Sequence, residues 1–341
     1  MTQQPLGNEP GTRSPIILLP AYNDWEACGL LLRELDRALE SAQLRAHLLI
    51  VDDGSTAPPD LSSQTHPLRA VRSVDILRLA RNTGHQRAIC LGLCVLATSE
   101  DARPVVIMDA DGEDDPSDVP RLLEAWEREG GKKIIFAERR RRSESMVFRV
   151  AYWAYRVVHR VLTGVSVRVG NFSVLPRSAL PGLTAFPELW SHFAAAVFVS
   201  RIPFTTLPTN RAQRLVGKSR MNFVSLVGHG LSAIAVFSEV VGVRVLLGSL
   251  MLIGLGGLGL GVLTAAHLLT PWAAPAWALY VAAIIGPALL LVIMFAFLFT
   301  FVILADRKGA AMLPARDFDH FVEGTHWIYT PEGEVDLGLR F

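Results

Sequence analysis

Hydrophobic and polar positions alternate in a regular order over residues 15–220. Short, mostly apolar runs, each long enough for a buried strand, occur at 16–19, 47–51, 74–79, 104–108 and 133–137. Segments with helical spacing of apolar residues lie between several of these runs, at 25–43, 86–97 and 117–128. Continuous apolar strands connected by helices are typical of a parallel sheet that is covered on both faces. The pattern therefore predicts an α/β domain over 15–220 with a mostly parallel, Rossmann-like sheet.

The pattern changes in the last third of the chain. No Asp, Glu, Lys or Arg occurs between Val245 and Ala305. About 20 apolar residues cross the hydrocarbon core of a bilayer, so this run has room for two spans. A Pro- and Trp-containing turn at 270–275 divides it. We predict a transmembrane hairpin over 244–304 rather than the alternative, a hairpin buried in a soluble protein.

Three further segments complete the predicted organisation. Residues 221–241 are apolar with one charge, Glu239, and predict an amphipathic helix at the membrane interface or a helix partly buried against the soluble domain. Residues 1–14 are polar, lack the apolar stretch of a signal peptide and predict a flexible tail. Residues 305–341 contain no readable motif and are assigned to a C-terminal tail.

Charged residues predict the orientation of the hairpin. Basic residues flank both of its ends and are missing from the connecting turn, which by the positive-inside rule places both termini and the soluble domain in the cytoplasm. These residues are Arg211, Arg214, Lys218, Arg220, Arg244, Arg307 and Lys308. The net charge of the 341-residue chain is only +1, so a basic nucleic-acid binder is not expected. Three cysteines exclude a disulfide framework.

Acidic residues follow the apolar run at 104–108. Asp109 and Asp111 are two positions apart at a predicted strand end, with Glu113 close by. Carboxylate oxygens at such a turn are suited to Mg²⁺ or Mn²⁺, which would neutralise a departing diphosphate. The structural alternative is that Asp114 or Ser117 caps the next helix while the others face water.

A second acidic pair, Asp52 and Asp53, ends another predicted strand. Carboxylates there are suited to accepting hydrogen bonds from a base or a ribose. The structural alternative is a turn with an Asx-type hydrogen bond, helped by Gly54 and Ser55. Tyr22 follows a third strand and either stacks on a base or packs in the core.

Taken in order, the strand-end motifs resemble glycosyltransferase family two, whose members have the GT-A fold. The motifs are Pro20-Ala21-Tyr22-Asn23, Val51-Asp52-Asp53-Gly54-Ser55, Arg81-Asn82-x-Gly84 and Met108-Asp109-Ala110-Asp111. The segment from Arg214 to Met221 further resembles the Arg-x-x-Gly-x-Ser-Lys segment of polyprenyl-phosphate glycosyltransferases, including bacterial members with a two-span hairpin. The resemblance covers roughly 15–305.

The resemblance implies an inverting hexosyltransferase that uses a nucleotide-diphosphate sugar, with UDP-glucose as the favoured donor. It also implies Mg²⁺ or Mn²⁺, a homo-oligomer and the cytoplasmic face of the inner membrane. It assigns the metal to Asp109, Asp111 and Glu113, with Asp111 also catalytic. It assigns the nucleotide to Pro20, Tyr22, Asp24, Asp52, Asp53 and Asn82.

The acceptor implied by the resemblance, polyprenyl (undecaprenyl) phosphate, agrees with the arginines of the chain. A phosphomonoester is already an anion at neutral pH, so it needs positioning rather than a general base. Arginine binds such groups in bidentate fashion. We therefore assign acceptor phosphate binding to Arg139, Arg142, Ser143, Lys218 and Arg220, with Arg139 and Arg142 also catalytic. The alternatives are a solvated loop at 139–142 and simple positive-inside anchoring by Lys218 and Arg220. Asn171 replaces the Asp that relatives often carry, and a neutral Asn171 cannot be a base.

Two alternatives have distinct signatures. A processive polysaccharide synthase of the same fold would show a Gln-x-x-Arg-Trp segment, and Gln213-Arg214 is not followed by that pattern. A non-catalytic membrane assembly partner would not need the acidic residues at 52, 53, 109 and 111. The enzyme that transfers one hexose is therefore the favoured hypothesis.

Overall fold

The structure is a computed structural model. It describes residues 14–59, 61, 68–99, 101–139, 146–165, 169–210, 212–216, 223–269, 276–306 and 312–329. This described part divides into two compact units, one from within 1–149, 167–236 and 312–341 and the other from within 150–166 and 237–311. The predicted flexible tail lies outside the described residues apart from Ser14.

Strands of the first unit form one sheet. They are β1 Ile16–Ala21, β2 Ala46–Asp52, β3 Val71–Leu79, β4 Val105–Ile107, β5 Ile134–Arg139, β6 Val169–Leu175, β7 Phe204–Thr209 and β8 Val322–Tyr329. Within the described residues the strand order is β7-β5-β6-β4-β1-β2-β3-β8. Pairing is parallel for β1 with β2 and β4, β2 with β3, and β5 with β7. Strands β6 and β8 run antiparallel to their neighbours. The predicted α/β fold of GT-A type with a mostly parallel sheet is confirmed.

Helices cover both faces of this sheet: α1 Trp25–Ser41 and α3 Asp118–Arg128 lie on one face, and α2 His85–Thr98, α5 Leu180–Thr184 and α6 Phe193–Ser200 lie on the other. The chain also forms α4 Met146–Thr163 and α7 Phe223–Ala235. Successive strand residues point to opposite faces, so Leu18 packs with residues of α2 while Ile17 packs with residues of α1 and α3. Both positions must be apolar, which explains why the central strands read as unbroken hydrophobic runs.

The C-terminal segment belongs to the sheet, which corrects the assignment of 305–341 to a separate tail. Helix α10, Pro314–Asp317, and the following 3₁₀ turn, Phe318–Phe321, pack against α2. Strand β8 then pairs with β3. A strand that completes a sheet edge through backbone hydrogen bonds needs no sequence motif, so pattern reading misses it.

The second unit contains most of α4 and two long helices, α8 Ser238–Leu269 and α9 Ala276–Asp306. Helix α8 is 32 residues long, with a mean hydropathy of 2.1 over its most apolar stretch, of which 6% is buried. At 1.5 Å per residue it extends about 48 Å, more than a bilayer core requires. Within the described residues α8 alone meets both criteria of length and composition for crossing a membrane. The second span, over 277–304, stays a prediction.

The boundary between the predicted interfacial helix and the first span differs from expectation. Residues 221–241 contain α7 and the first turn of α8, because α8 already begins at Ser238. An acidic residue in the first helical turn, here Glu239, is favourable to the helix dipole. Arg244 lies inside α8 and donates to the backbone oxygen of Val161 at 2.7 Å, near the end of α4. A charge that marks the limit of a span therefore need not mark the limit of a helix.

Candidate active site

The carboxyl ends of neighbouring strands bring the predicted site residues to one edge of the sheet. Ala21 lies beside Asp52 in the pairing of β1 with β2. On the other side of β1, Met108 donates its backbone N–H to Leu18 at 3.1 Å, which places Asp109 at the same edge. The sheet order thus brings these strand ends to the same edge, where ligands of open α/β sheets bind.

Asp52 and Asp53 are buried and organise the loops around them. Asp52 Oδ1 accepts the backbone N–H of Ser55 at 2.9 Å, the Asx-type turn considered as the structural alternative. Asp53 accepts from the backbone N–H of Thr83 at 2.6 Å and of Gly84 at 2.8 Å, and from the Thr83 hydroxyl at 2.8 Å. Burial raises the pKa of Asp53 against the lowering effect of these hydrogen bonds. Nucleotide binding by either aspartate stays a prediction, as it does for Asn82.

The loop after β1 is fixed by Asn23. Its side-chain oxygen accepts the backbone N–H groups of Thr56 at 3.0 Å and of Ala57 at 3.3 Å. Its own N–H donates to the Ser55 hydroxyl at 2.8 Å. Asn23 has φ of 50°, a left-handed conformation that Asn tolerates better than most residues. The neighbouring Tyr22 is 38% exposed, so its ring is accessible to a ligand at this edge.

The acidic turn after β4 is folded by its own carboxylates. Asp114 accepts the backbone N–H of Asp109 at 3.1 Å, and Asp111 Oδ1 accepts that of Glu113 at 2.9 Å. Gly112 has φ of 79°, the region that favours glycine. Burial raises the pKa of Asp111, and the negative charges of Asp109 and Glu113 raise it further, against the hydrogen bond from Glu113 and the charge of Arg214.

Arg214 crosses this edge and binds carboxylates from two loops. Its guanidinium lies 3.1 Å from Asp111 Oδ2 and 3.3 Å from Asp24 Oδ2. The adjoining Leu215 donates its N–H to the Asp111 carbonyl at 3.1 Å. A Cβ on Gly112 would come within 2.5 Å of Leu215 Cγ, so only glycine fits there. The sequence contains Arg214 within a family-like segment, but no local signal predicts its two partners.

His85 and Asn171 lie next to each other beside the acidic turn. His85 Nε2 is 3.1 Å from Asp109 Oδ1 and 3.0 Å from Asn171 Nδ2. Partial burial lowers the pKa of His85, but the carboxylates of Asp109, Asp111 and Asp114 outweigh this and the pKa is raised.

Gln86, which sequence reasoning does not single out, connects this group to the protein core. Its amide nitrogen donates to Asn171 Oδ1 at 3.0 Å, and its amide oxygen accepts the Phe193 N–H at 2.8 Å. The position of the neutral Asn171 is therefore fixed from two sides.

The predicted metal ligands have the donor atoms that a hard cation prefers, but their positions in the structure do not form a complete ligand set. Asp109, Asp111 and Glu113 offer carboxylate oxygens, the donors that Mg²⁺ and Mn²⁺ prefer. In the described residues, however, no group of three or more His, Cys, Asp or Glu side chains is placed to hold one ion. A cation at Asp111 would share that carboxylate with Arg214. Metal binding thus stays a proposal.

Of the predicted acceptor residues, the structure describes only the backbone of Arg139. Arg139 ends β5 beside Thr209 of β7. Arg142, Ser143, Lys218 and Arg220 lie outside the described residues. Their role stays a prediction from sequence.

Comparison with known proteins agrees with this arrangement. Residues 16–182 match the model of Glycosyl transferase family 2. Dodecaprenyl-phosphate galacturonate synthase of Rhizobium johnstonii is 25% identical over 206 residues, which cover 56% of this chain and 59% of that protein. Bactoprenol glucosyl transferase of Shigella phage SfX is 24% identical over 227 residues, covering 65% and 72%. This chain therefore spans well under the full length of both relatives.

A solved structure is also similar. Glucosyl-3-phosphoglycerate synthase from Mycobacterium tuberculosis is 18% identical, with a TM-score of 0.47 over 67% of this chain and 79% of that one. Residues 16–182 form a glycosyl transferase family 2 domain, as the family-model match shows, and the resemblance read from the strand-end motifs is confirmed.

Proposed function

We propose that this protein transfers one hexose from a nucleotide-diphosphate sugar, UDP-glucose being the favoured donor, to polyprenyl phosphate. The reaction would take place at the cytoplasmic face of the inner membrane. The observation that carries the proposal is that a family 2 domain with an acidic turn at its strand ends shares its chain with α8, a helix able to cross a bilayer. The names of two relatives, a dodecaprenyl-phosphate galacturonate synthase and a bactoprenol glucosyl transferase, support the lipid acceptor.

The chemistry needs no general base. A phosphate oxygen of the acceptor attacks the anomeric carbon, the bond from that carbon to the donor diphosphate breaks, and the nucleoside diphosphate leaves with its electron pair. The acceptor is already an anion at neutral pH, in keeping with the neutral Asn171 in β6. A divalent cation held by Asp109, Asp111 and Glu113 would stabilise the charge of the leaving diphosphate.

Other residues of the chain bind the nucleotide, position the acceptor or balance charge. Pro20, Tyr22, Asp24, Asp52, Asp53 and Asn82 bind the nucleotide in this proposal. Arg139, Arg142, Ser143, Lys218 and Arg220 position the acceptor phosphate through charge-assisted hydrogen bonds, which are the strong ones. Arg214 balances the charges of Asp24 and Asp111 at the same edge.

The full chain in lipid nanodiscs tests the proposal. Turnover of a panel of nucleotide sugars is measured with and without polyprenyl phosphate, and the mass of the lipid product is determined by mass spectrometry. The expected product is a polyprenyl phosphate that carries one hexose on its phosphate group. A polymer would favour the processive synthase, and a chain that neither binds nor turns over any donor would favour the assembly partner.

The acceptor assignment has its own variants. Lys218→Ala and Arg220→Ala should raise the KM for polyprenyl phosphate by about tenfold, the loss expected for one charge-assisted contact. Donor binding should hardly change. The exposed Lys132→Ala is the matched control. Equal loss of donor and acceptor binding would contradict the assignment.

A further inference from the structure

The C-terminal segment, residues 312–329, reaches the loop that carries Asn82. Phe321 accepts the backbone N–H of Ala80 on its carbonyl oxygen at 2.9 Å. Two residues later Glu323 forms an ion pair with Arg78 at 3.0 Å. Strand β8 continues this contact along β3. The segment is thus joined to the chain at the point where β3 ends and the loop begins.

The ring of Phe321 lies between two side chains of the first unit. Its centroid is 4.9 Å from that of Trp190, in a tilted arrangement. The guanidinium of Arg81 lies over the ring at 5.9 Å from its centroid. The guanidinium of Arg87 in turn lies over the ring of Trp190, 5.1 Å from its centroid. Aromatic pairs and cation–π contacts of this geometry are attractive beyond the area they bury, so the ring favours one placement of the Arg81 side chain, at the first residue of the loop.

The end of β2 fixes the same loop from another side. Asp53 accepts the backbone N–H groups of Thr83 and Gly84. A Cβ on Gly54 would lie 2.6 Å from both the Arg81 carbonyl carbon and the Asn82 nitrogen. Backbone therefore packs directly on backbone there. The loop 81–84 is held by Asp53 and Gly54 and, through Arg81, by Phe321.

We infer that Phe321 is a positioning residue for the donor nucleotide, acting through Arg81 on the loop that presents Asn82. The inference rests on the proposed function, which puts Asn82 at the nucleotide. It assigns a role in donor binding to a segment that lies beyond the helices α8 and α9 in the sequence. Preorganising a binding loop improves affinity because less ordering remains to be done on binding.

The test compares Phe321→Ala, Phe321→Tyr and Glu323→Gln in the full chain in nanodiscs. Phe321→Ala should raise the donor KM about tenfold, the loss of one aromatic and one cation–π contact, with kcat and the acceptor KM within about twofold. Phe321→Tyr keeps the ring and should restore the donor KM. Glu323→Gln removes an exposed ion pair from the same segment and should leave it unchanged.

A second measurement reads the loop without any substrate. Amide hydrogen exchange at Thr83 and Gly84 should be faster in Phe321→Ala than in the wild type and normal in Phe321→Tyr. Unchanged exchange and unchanged donor KM in Phe321→Ala would overturn the inference. So would a variant in which donor and acceptor KM rise together. A wild-type chain that turns over no donor would instead overturn the proposed function, and normal exchange in Phe321→Ala would then still reject the loop contact.

Discussion

Asp53 and Asp111 both follow a parallel strand at the same edge of the sheet, yet they are surrounded differently. Asp53 accepts hydrogen bonds from backbone N–H groups of the next loop. Asp111 faces the guanidinium of Arg214 and the negative charges of Asp109 and Glu113. The first carboxylate is part of the frame of the site. The second forms an ion pair with the guanidinium of Arg214.

Because of this difference, mutations of the two aspartates should affect different properties of the protein, stability in one case and turnover in the other. Removing the acceptor of the partly buried Thr83 and Gly84 N–H groups leaves them unsatisfied, which costs folding free energy. Removing a carboxylate that is crowded by like charges relieves repulsion instead. A mutation of Asp53 is therefore expected to lower stability, whereas a mutation of Asp111 is expected to lower turnover.

The largest effect is expected for Asp111→Asn. In the proposed function Asp111 would help to hold the cation that stabilises the leaving diphosphate, so loss of its carboxylate should reduce turnover by about 10²–10³-fold. The melting temperature should stay the same or rise, because the repulsion from Asp109 and Glu113 is relieved. Donor turnover and thermal unfolding of the full chain measure both. Asp115→Asn, in the same loop, is the control, and near-normal turnover of Asp111→Asn would refute the assignment.

A smaller effect, on stability, is expected for Asp53→Ala. Thr83 and Gly84 lose the acceptor of their N–H groups, so the free energy of unfolding should fall by about 2–3 kcal/mol. Asp53→Asn retains one acceptor oxygen and should lose less. Denaturant unfolding provides the measurement. If Asp53→Ala were as stable as the wild type, the contrast between the two carboxylates would disappear.

The smallest effect is expected at His47, in β2. This residue lies away from the two aspartates and should change only how stability depends on pH. His47 is buried, and its Nδ1 lies 3.0 Å from the Ser73 hydroxyl. Burial, and next the charge of Arg103, lower its pKa to about 4, with Asp101 opposing. The folded state disfavours the protonated ring. The contribution of the neutral His47 to the free energy of unfolding is therefore full above pH 6.5 and is lost as the pH falls towards 4.

The corresponding variant is His47→Gln. Between pH 7.5 and pH 4.5 the wild type should lose about 2 kcal/mol more unfolding free energy than the variant. Parallel pH profiles of stability would show that His47 is not responsible. Activity profiles of the two proteins at pH 7 and above should coincide, since the ring is neutral there in both.

Much of the sheet could be predicted from local sequence patterns. Near-continuous apolar runs predicted β1 to β5 because both faces of a parallel sheet are buried. Polar residues directly after those runs predicted the edge that carries the site. The antiparallel strands β6 and β8 were not predicted. They are defined by pairing with distant strands, and β8 follows two long apolar helices in the chain.

The sequence by itself determined the parallel sheet, the acidic strand ends and the long apolar helix α8, since each depends on periodicity or composition within a short window. Only the tertiary structure decided how the polar groups are used. Arg214 binds Asp111 and Asp24, 103 and 190 residues away. Phe321 contacts Arg81 across an even longer stretch of chain. Such contacts depend on how the sheet and its loops close in space, and no local pattern encodes that.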